Sequence, residues 1–324
     1  MKRVQESIAD LVGNTPMVKL GRFGQGIPHD LYGKCEFLNP GGSVKDRIAF
    51  YMIRKAEESG ALLPGGTIVE ATAGNTGIGL ALVAAMRGYR LVTYMSEKVS
   101  KDKVRLLQAL GAETVVVPGG KASDDPEHFM NRARERASEP GSWLADQFFN
   151  EANVEAHYTS TGPEIWEQLE GHVDALVAGV GTGGTLTGAG RYLKEKNPDL
   201  KVVLADPVGS LLADFVKGKK STSASYIIEG IGQDFVPGNF AVNLVDDVVR
   251  VTDGEAIEAS KELFAKEAMF VGSSSGCILA AARTFCRNLA GADRKNVVVI
   301  LPDGGRGYVS TIYDDEWLAG RLSK

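Results

Sequence analysis

The feature that most constrains the fold of this chain is a repeated order of short apolar strand, glycine-containing turn and helix. Thr67–Ala71 leads through AGNTG into an apolar helical run, and Asp174–Val180 leads through GTGGT into another. Lys201–Ala205 and Asn296–Leu301 are apolar runs of the same kind. Short, nearly continuous apolar strands that alternate with helices are typical of parallel sheets covered on both faces. The pattern therefore predicts an α/β fold.

The number of these strand and helix units predicts two sheets. A chain of 324 residues allows about two domains, at roughly 100–200 residues for each. Several units occur in each half, so we expect two open, mostly parallel twisted sheets flanked by helices. We expect a smaller domain over residues 41–150, and a larger domain formed by residues 1–40 together with 151–324.

Composition and charge exclude several classes of protein. The formal net charge of −5 argues against nucleic-acid binding, which usually needs a basic face. The apolar stretches are far shorter than the ~18–20 residues of a membrane span, and the N-terminus has no apolar signal region. Three cysteines form a sparse, odd set that fits a reducing compartment, and no motif predicts a metal site. We expect a cytoplasmic protein.

Glycine is over-represented, and its positions suggest anion binding. It accounts for 39 of the 324 residues, against a usual ~7%. A helix N-terminus offers unpaired N–H groups to an anion, and glycine lets the backbone approach it closely. Four glycine-rich turns open predicted helices, and one of them carries a lysine: Asn39–Arg47 with Lys45, Ala73–Gly77, Gly181–Thr185 and Gly272–Gly276.

Each turn also has a simpler interpretation. AGNTG could be a tight strand–helix connection, and the serines of GSSSG could cap a helix. GTGGT matches neither the P-loop spacing nor GxGxxG, so dinucleotide binding is the weaker reading. A lone lysine is usually a surface charge. However, a lysine with a lowered pKa is the residue that forms Schiff bases, which makes Lys45 a catalytic candidate.

The motifs together resemble a known family, the fold-type II pyridoxal-phosphate enzymes, and within it the cysteine synthase and cystathionine β-synthase group. The resemblance extends from Val12 to Asp303 and implies a fold like that of the tryptophan synthase β chain. TAGNTG, GPEIW and VGSSSG are most similar to bacterial O-acetylserine-dependent cystathionine β-synthases. Six motifs occur in the family's order: NPGGSVKDR, TAGNTGIGLA, HYTSTGPEIW, GTGGT, EGIG and GSSSG.

The resemblance implies a role for several residues toward pyridoxal phosphate, with the phosphate held in the larger domain. Lys45 would bind the cofactor as a Schiff base and later act as the acid–base catalyst. Asn75 would donate to the phenolic oxygen, and Ser274 would bond the pyridine nitrogen. The phosphate would be held by a loop of five residues: Gly181, Thr182, Gly183, Gly184 and Thr185.

The resemblance also implies which residues bind substrates. A turn and a later glutamine would hold the α-carboxylate of the amino acid: Thr72, Ala73, Gly74, Asn75, Thr76 and Gln147. Gly230 and Gln233 would lie near the entrance of the second substrate. Ala73 stands where many relatives carry serine, and Gln233 stands where serine-dependent cystathionine synthases carry tyrosine. Gln233 therefore leaves both serine activation and the homocysteine assignment open.

The expected reaction is β-replacement through an aminoacrylate, catalysed by a homodimer. The donor would be O-acetylserine or serine, and the nucleophile homocysteine or sulfide, giving cystathionine or cysteine. A neutral Ser274 at the pyridine nitrogen favours loss of a β-substituent over transamination, whereas Asp303 at that nitrogen would reverse this inference.

Four alternatives stay open at this point. The chain could only eliminate, as a serine/threonine deaminase or a desulfhydrase does. It could use an amine nucleophile and give a diaminopropionate-type product. It could be a catalytically silent binding protein, or a dehydrogenase if the glycine turns bind a dinucleotide. An intact Lys45 argues against the silent protein.

Overall fold

A computed structural model describes residues 4–97, 99–121, 124–289 and 293–322. Within these ranges the chain forms two compact units. The smaller unit contains the described residues up to Val12 together with Asn39–Ala156, and the larger unit contains Gly13–Leu38 and the described residues from His157 onward. The residues before Gly13 thus group with the smaller unit. The domains expected over 41–150, and over 1–40 with 151–324, stay a prediction.

The part of the chain that the structure describes contains ten strands and eleven α-helices. The strands are β1 (Met17–Lys19), β2 (Asp30–Cys35), β3 (Thr67–Ala71), β4 (Arg90–Ser96), β5 (Glu113–Val117), β6 (Ser142–Leu144), β7 (Ala175–Gly179), β8 (Lys201–Pro207), β9 (Asp247–Val251) and β10 (Asn296–Leu301). The helices are α1 (Lys45–Glu58), α2 (Asn75–Arg87), α3 (Lys101–Ala109), α4 (Phe129–Ala137), α5 (Ala152–Ala156), α6 (Gly162–Gln168), α7 (Gly184–Lys196), α8 (Leu212–Val216), α9 (Asp253–Glu267), α10 (Ser273–Asn288) and α11 (Asp315–Leu322).

The smaller unit is built on a parallel sheet. Its described strands lie in the order β5-β4-β3-β6. All five residues of the inner strand β3 are buried, because helices cover both faces of the sheet. Ile68 packs with α1 and α2 on one face, and Val69 packs with Ala133 of α4 on the other. The apolar run TIVEA is therefore a strand that is buried on both sides.

The larger unit is built on a mixed sheet with the described strand order β1-β2-β10-β7-β8-β9. The edge strand β1 is antiparallel to β2, and the other neighbouring pairs are parallel. Val177 of β7 packs toward the cluster that includes α10, and Leu176 packs toward the cluster that includes α7. The predicted α/β fold with mostly parallel sheets between helices is confirmed.

The three cysteines contribute apolar packing. Cys35 ends β2, Cys277 and Cys286 lie on α10, and all three are free and buried. Burial raises the pKa of the Cys35 and Cys286 thiols to about 12, and it also raises the pKa of Cys277. In the described ranges, no helix has the length and apolar character to cross a membrane, and no cluster of potential metal ligands occurs.

We expect the three thiols of the folded protein to be unreactive toward a thiol reagent at about pH 8. A buried thiol with a raised pKa is neither accessible nor present as the thiolate, which is the nucleophilic form. A colorimetric thiol titration should detect fewer than one thiol per chain in buffer and all three in denaturant. Rapid reaction of one or more thiols in buffer would contradict this burial.

Candidate functional site

Lys45 is the first residue of α1 and is half-buried. The turn before it is formed by the hydrogen bond from Gly42 N to Asn39 O (2.8 Å), and Gly42 has a φ of +84°, which favours glycine. The backbone N–H of Lys45 donates to Ser43 Oγ at 3.1 Å. The glycine turn and Ser43 therefore fix where the lysine side chain leaves the backbone. The helix therefore begins at Lys45 itself, within the predicted turn Asn39–Arg47.

The predicted carboxylate loop connects β3 to α2. Gly74 caps α2, which begins at Asn75, inside the AGNTG turn rather than after it. Gly74 N donates to Thr72 Oγ1 at 3.2 Å, and Gly77 N donates to Gly74 O at 3.0 Å. These bonds close the turn around the start of a 13-residue helix. The first N–H groups of such a helix can bind an anion, and the helix dipole favours this.

Close packing at Gly79 places Lys45 beside this helix. Gly79 lies one turn into α2, and a Cβ added to it would lie 3.0 Å from Ala49 Cβ and 3.1 Å from Lys45 O. Glycine at this position therefore lets α1 and α2 come close together at their N-terminal ends. The structure thus brings together the lysine and the turn that were predicted from separate motifs, both within the smaller unit.

Gln147 reaches the same turn from a distant part of the chain. Its Oε1 accepts a hydrogen bond of 2.5 Å from Thr76 Oγ1, and both residues are buried. The preceding residue, Asp146, has a φ of +49°, which is uncommon for a residue other than glycine. This conformation shapes the segment that presents Gln147. The smaller unit therefore brings together six predicted substrate-binding residues: Thr72, Ala73, Gly74, Asn75, Thr76 and Gln147.

The predicted phosphate loop lies in the larger unit, between β7 and α7. Gly183 caps α7 with a φ of +91°, and a Cβ on it would lie 2.7 Å from Phe240 N. Thr182 is buried, whereas Thr185 is partly exposed in the first turn of the helix. Backbone N–H groups and hydroxyls at a glycine-rich helix start can bind a phosphate.

The segment of Gly230 to Gln233 lies directly against the phosphate loop. A Cβ on Gly181 would overlap the carbonyl oxygen of Gly230. Gly232 N donates to Val180 O at 2.9 Å, and Gln233 Nε2 donates to Gly181 O at 3.0 Å. The structure therefore brings Gly230 and Gln233 to the loop, and Gln233 holds one of its carbonyl groups.

His157 also contacts the predicted phosphate loop. Its ring nitrogens hydrogen-bond Thr161 Oγ1 at 2.8 Å and Thr185 Oγ1 at 3.1 Å. The histidine is 1% exposed and begins a π-helical turn over His157–Thr161. Its contact with Thr185 has no signal in the sequence, because 28 residues separate the two.

Ser274 lies in the first turn of α10 and is buried. The neighbouring Ser273 accepts a hydrogen bond of 2.9 Å from Glu229 N, which places the start of α10 next to the Gly230 segment. Gly272 N donates to Asp303 O at 3.1 Å. One carboxylate oxygen of Asp303, Oδ2, accepts a hydrogen bond of 2.7 Å from the Tyr308 hydroxyl.

The buried carboxyl of Glu70 is a feature that the motifs did not predict. Glu70 is the fourth residue of β3 and is 1% exposed. Oε1 accepts from Ala71 N at 2.9 Å, and Oε2 accepts from Gln147 N at 3.2 Å. Burial raises the pKa of Glu70 to about 7. The sequence signal is an acidic residue in the strand TIVEA, just before the turn that was predicted to bind the carboxylate.

The chain is similar to known proteins along most of its length. Residues 8–303 match the family described as pyridoxal-phosphate dependent enzyme. The chain is 43% identical to a cystathionine beta-synthase of Apis mellifera, over 98% of this chain and 63% of that protein. It is 42% identical to cysteine synthase 1 of Neurospora crassa, over 97% of this chain and 85% of that protein.

A solved structure shows the same fold. It is that of a hydrogen sulfide-producing enzyme from Fusobacterium nucleatum, which superposes with a TM-score of 0.88 at 34% sequence identity. The match covers 95% of this chain and 99% of the other. The chain spans less than two thirds of the cystathionine beta-synthases that it matches, for example 58% of the protein from Oryctolagus cuniculus. The family resemblance predicted from the motifs is confirmed.

Glu70 should give the free energy of unfolding a measurable pH dependence. Burial raises its pKa from 4.5 to about 7, so between these values the folded chain holds a proton that the unfolded chain has lost. Its contribution to stability is complete below about pH 4.5 and declines as the pH rises through about 7. We expect Glu70→Gln, which cannot ionise, to lack this decline when urea unfolding is compared between about pH 5 and pH 8. Equal pH slopes in the two proteins would contradict the shifted pKa.

Proposed function

Because the chain belongs to the family of pyridoxal-phosphate dependent enzymes, we propose that it catalyses β-replacement on an amino acid with a β-leaving group. The donor is O-acetylserine or serine, the nucleophile is homocysteine or sulfide, and the product is cystathionine or cysteine. The similarity to cystathionine beta-synthase and cysteine synthase 1 supports this reaction type. The observation that supports the proposal is the close packing at Gly79, which sets Lys45 beside the start of α2, where backbone N–H groups can bind an anion.

Each unit has residues that fit a chemical group of pyridoxal phosphate. A Cβ at Gly181 or Gly183 would clash with neighbouring backbone atoms. Glycine at both positions therefore allows a loop whose backbone N–H groups can bind a phosphate. Lys45 supplies a primary amine for the aldehyde, Asn75 an amide for the phenolic oxygen, and Ser274 a hydroxyl for the ring nitrogen. When bound, the cofactor supplies an electron-withdrawing ring that stabilises negative charge at the substrate Cα.

The smaller unit has the groups needed to bind and orient the amino acid. The N–H groups of the turn Thr72–Thr76 point from a helix start, where the dipole favours a carboxylate. The Gln147 amide, held by Thr76, completes this carboxylate site. With the carboxylate fixed there, Lys45 Nζ takes the α-proton and later returns a proton to the same carbon.

A second candidate function is β-elimination alone. It is favoured by the similarity to a hydrogen sulfide-producing enzyme, at 34% identity over nearly the whole chain. The same Lys45 and carboxylate site would serve both reactions. They differ in whether a second substrate captures the product of elimination, and we propose that Gln233, near the entrance inferred for that substrate, influences this choice. An amine nucleophile is a further variant of the replacement reaction.

We also propose that the protein works as a homodimer in the cytoplasm. The dimer is implied by the family resemblance, and the compartment by three cysteines that are all free thiols.

The reaction is tested by pairing donors with nucleophiles and identifying products by mass. O-acetylserine, serine, phosphoserine and cysteine are supplied singly, then with sulfide, homocysteine or an amine. We expect a β-substituted amino acid from at least one pair, and a loss of turnover of about 10²–10⁴-fold or more in Lys45→Ala, because proton transfer at Cα is lost. Lys55→Ala on the same helix, where Lys55 pairs with Glu155 at 3.6 Å, is the matched control and should retain activity.

Three outcomes would contradict the main proposal. Turnover that persists in Lys45→Ala would remove the lysine from the reaction. The absence of product with every pair would exclude β-replacement. Pyruvate and sulfide from cysteine, unchanged by any nucleophile, would establish the elimination reaction instead.

The phosphate-binding role of the larger unit is tested by Gly181→Ala. The added Cβ overlaps Gly230 O, so the loop or its neighbour must shift. We expect the dissociation constant for pyridoxal phosphate to rise about tenfold or more, as loss of one charge-assisted hydrogen bond would cause. Gly254→Ala is the matched control, because Gly254 is an exposed residue of α9 with no heavy atom within 4 Å of an added Cβ. Equal cofactor affinity in the two variants would contradict the assignment.

A further inference from the structure

Glu70 is an acidic side chain held in the interior by hydrogen bonds from backbone N–H groups. The charged neighbour that influences it is Asp146, a second acid, whose negative charge also raises the pKa of Glu70. Taking a carboxylate out of water is costly unless hydrogen bonds or an opposite charge compensate for it. Here the compensation comes from backbone N–H groups, those of Ala71 and Gln147. Because burying this carboxylate costs folding free energy, its place beside a candidate site suggests that it contributes to function.

The two oxygens of Glu70 join the two segments that form the carboxylate site. Oε1 receives the N–H of Ala71, the residue immediately before the turn Thr72–Thr76. Oε2 receives the N–H of Gln147, which lies 77 residues further along the chain. The side chain therefore fixes the end of β3 and the Gln147 segment to each other.

Both backbone polar groups of Gln147 form hydrogen bonds with side chains. Its N–H goes to Glu70, and its carbonyl oxygen accepts from Asn153 Nδ2 at 2.7 Å. A nearby bond from Asn150 Nδ2 to Ala145 O (2.9 Å) closes the same segment. These bonds surround the left-handed Asp146 and set the direction in which the Gln147 side chain extends toward Thr76.

We propose that Glu70 is a positioning residue that holds Gln147 and the Thr72–Thr76 turn in register, and so sets the affinity of the site for the α-carboxylate of the amino acid. The inference rests on the proposed function, because it takes the turn and Gln147 as the carboxylate site. Glu70 acts through Gln147 and does not touch the substrate. A positioning role predicts an effect on amino-acid binding and little effect on the proton transfer at Lys45.

The test replaces Glu70 with glutamine. Glu70→Gln keeps the size of the side chain but turns an NH₂ group toward one of the two backbone N–H donors, so one hydrogen bond is lost. At about pH 8, above the pKa of Glu70, we expect KM for the amino-acid donor to rise about tenfold, with kcat changed less than about twofold. The KM of the nucleophile and the pyridoxal phosphate content should not change. The dissociation constant of L-alanine, which has no β-leaving group, should rise by the same factor as KM.

A double-mutant cycle separates positioning from a merely structural role. Gln147→Ala should weaken L-alanine binding by itself, and adding Glu70→Gln to it should cause little further loss, because Glu70 acts through Gln147. Glu36→Gln is the matched control. Glu36 is also fully buried and accepts a hydrogen bond of 2.8 Å from Thr15 Oγ1, but it lies in the larger unit. It should lower the midpoint of thermal unfolding without changing L-alanine binding.

The possible outcomes are distinct. Unchanged L-alanine binding in Glu70→Gln would overturn the positioning role. So would a double variant in which Glu70→Gln weakens L-alanine binding by the same factor as it does in the wild-type background. If Glu70→Gln does not fold, Glu70→Asp, which keeps the charge and withdraws the carboxylate by one methylene, is held to the same criteria. If the wild-type enzyme forms no product, the proposed function fails, whereas L-alanine binding still decides the role of Glu70.

Discussion

The segments predicted to bind ligands depend on close backbone packing that leaves no room for a side chain. Gly79 allows α2 to contact the carbonyl of Lys45, and Gly181 allows the Gly230 segment to contact the phosphate loop. Each contact lies at the start of a helix, where N–H groups are available to a ligand. A methyl group at either position would push the elements apart, and the side chains that they carry would move with them. Close packing at these glycines is therefore a condition for the site geometry in both units.

Side-chain hydrogen bonds complete what the close packing begins. Gln233 donates to Gly181 O and His157 bonds Thr185, so two side chains hold the phosphate loop from different positions along the chain. In the smaller unit, Glu70 and Asn153 hold the backbone of Gln147. In each unit, buried polar groups are used to fix residues that would meet a ligand. Partners that are already held in place lose little freedom on binding, which favours affinity.

The sequence predicted the local features and missed the long-range ones. The apolar run of β3, the glycine turns and the lysine at a helix start follow from residues that are close together in the chain, and the structure contains them. The bond from Gln147 N to Glu70 spans 77 residues, and the bond from Gln233 to Gly181 spans 52. No periodicity or turn chemistry encodes such pairs, because they depend on which strands become neighbours. The left-handed conformation of Asp146 was also not predictable, since an aspartate adopts it only when surrounding contacts require it.

The burial of the three cysteines has a consequence for the proposed chemistry. The nucleophiles proposed for this enzyme include thiols, whose oxidised forms are disulfides that can attach to exposed protein thiolates. Mixed disulfides form only when a protein thiolate attacks the disulfide, which requires both access and ionisation. Cys35, Cys277 and Cys286 lack both, since they are buried and their pKa values are raised. The three cysteines of the folded protein are therefore protected from forming mixed disulfides with thiol nucleophiles of the proposed class.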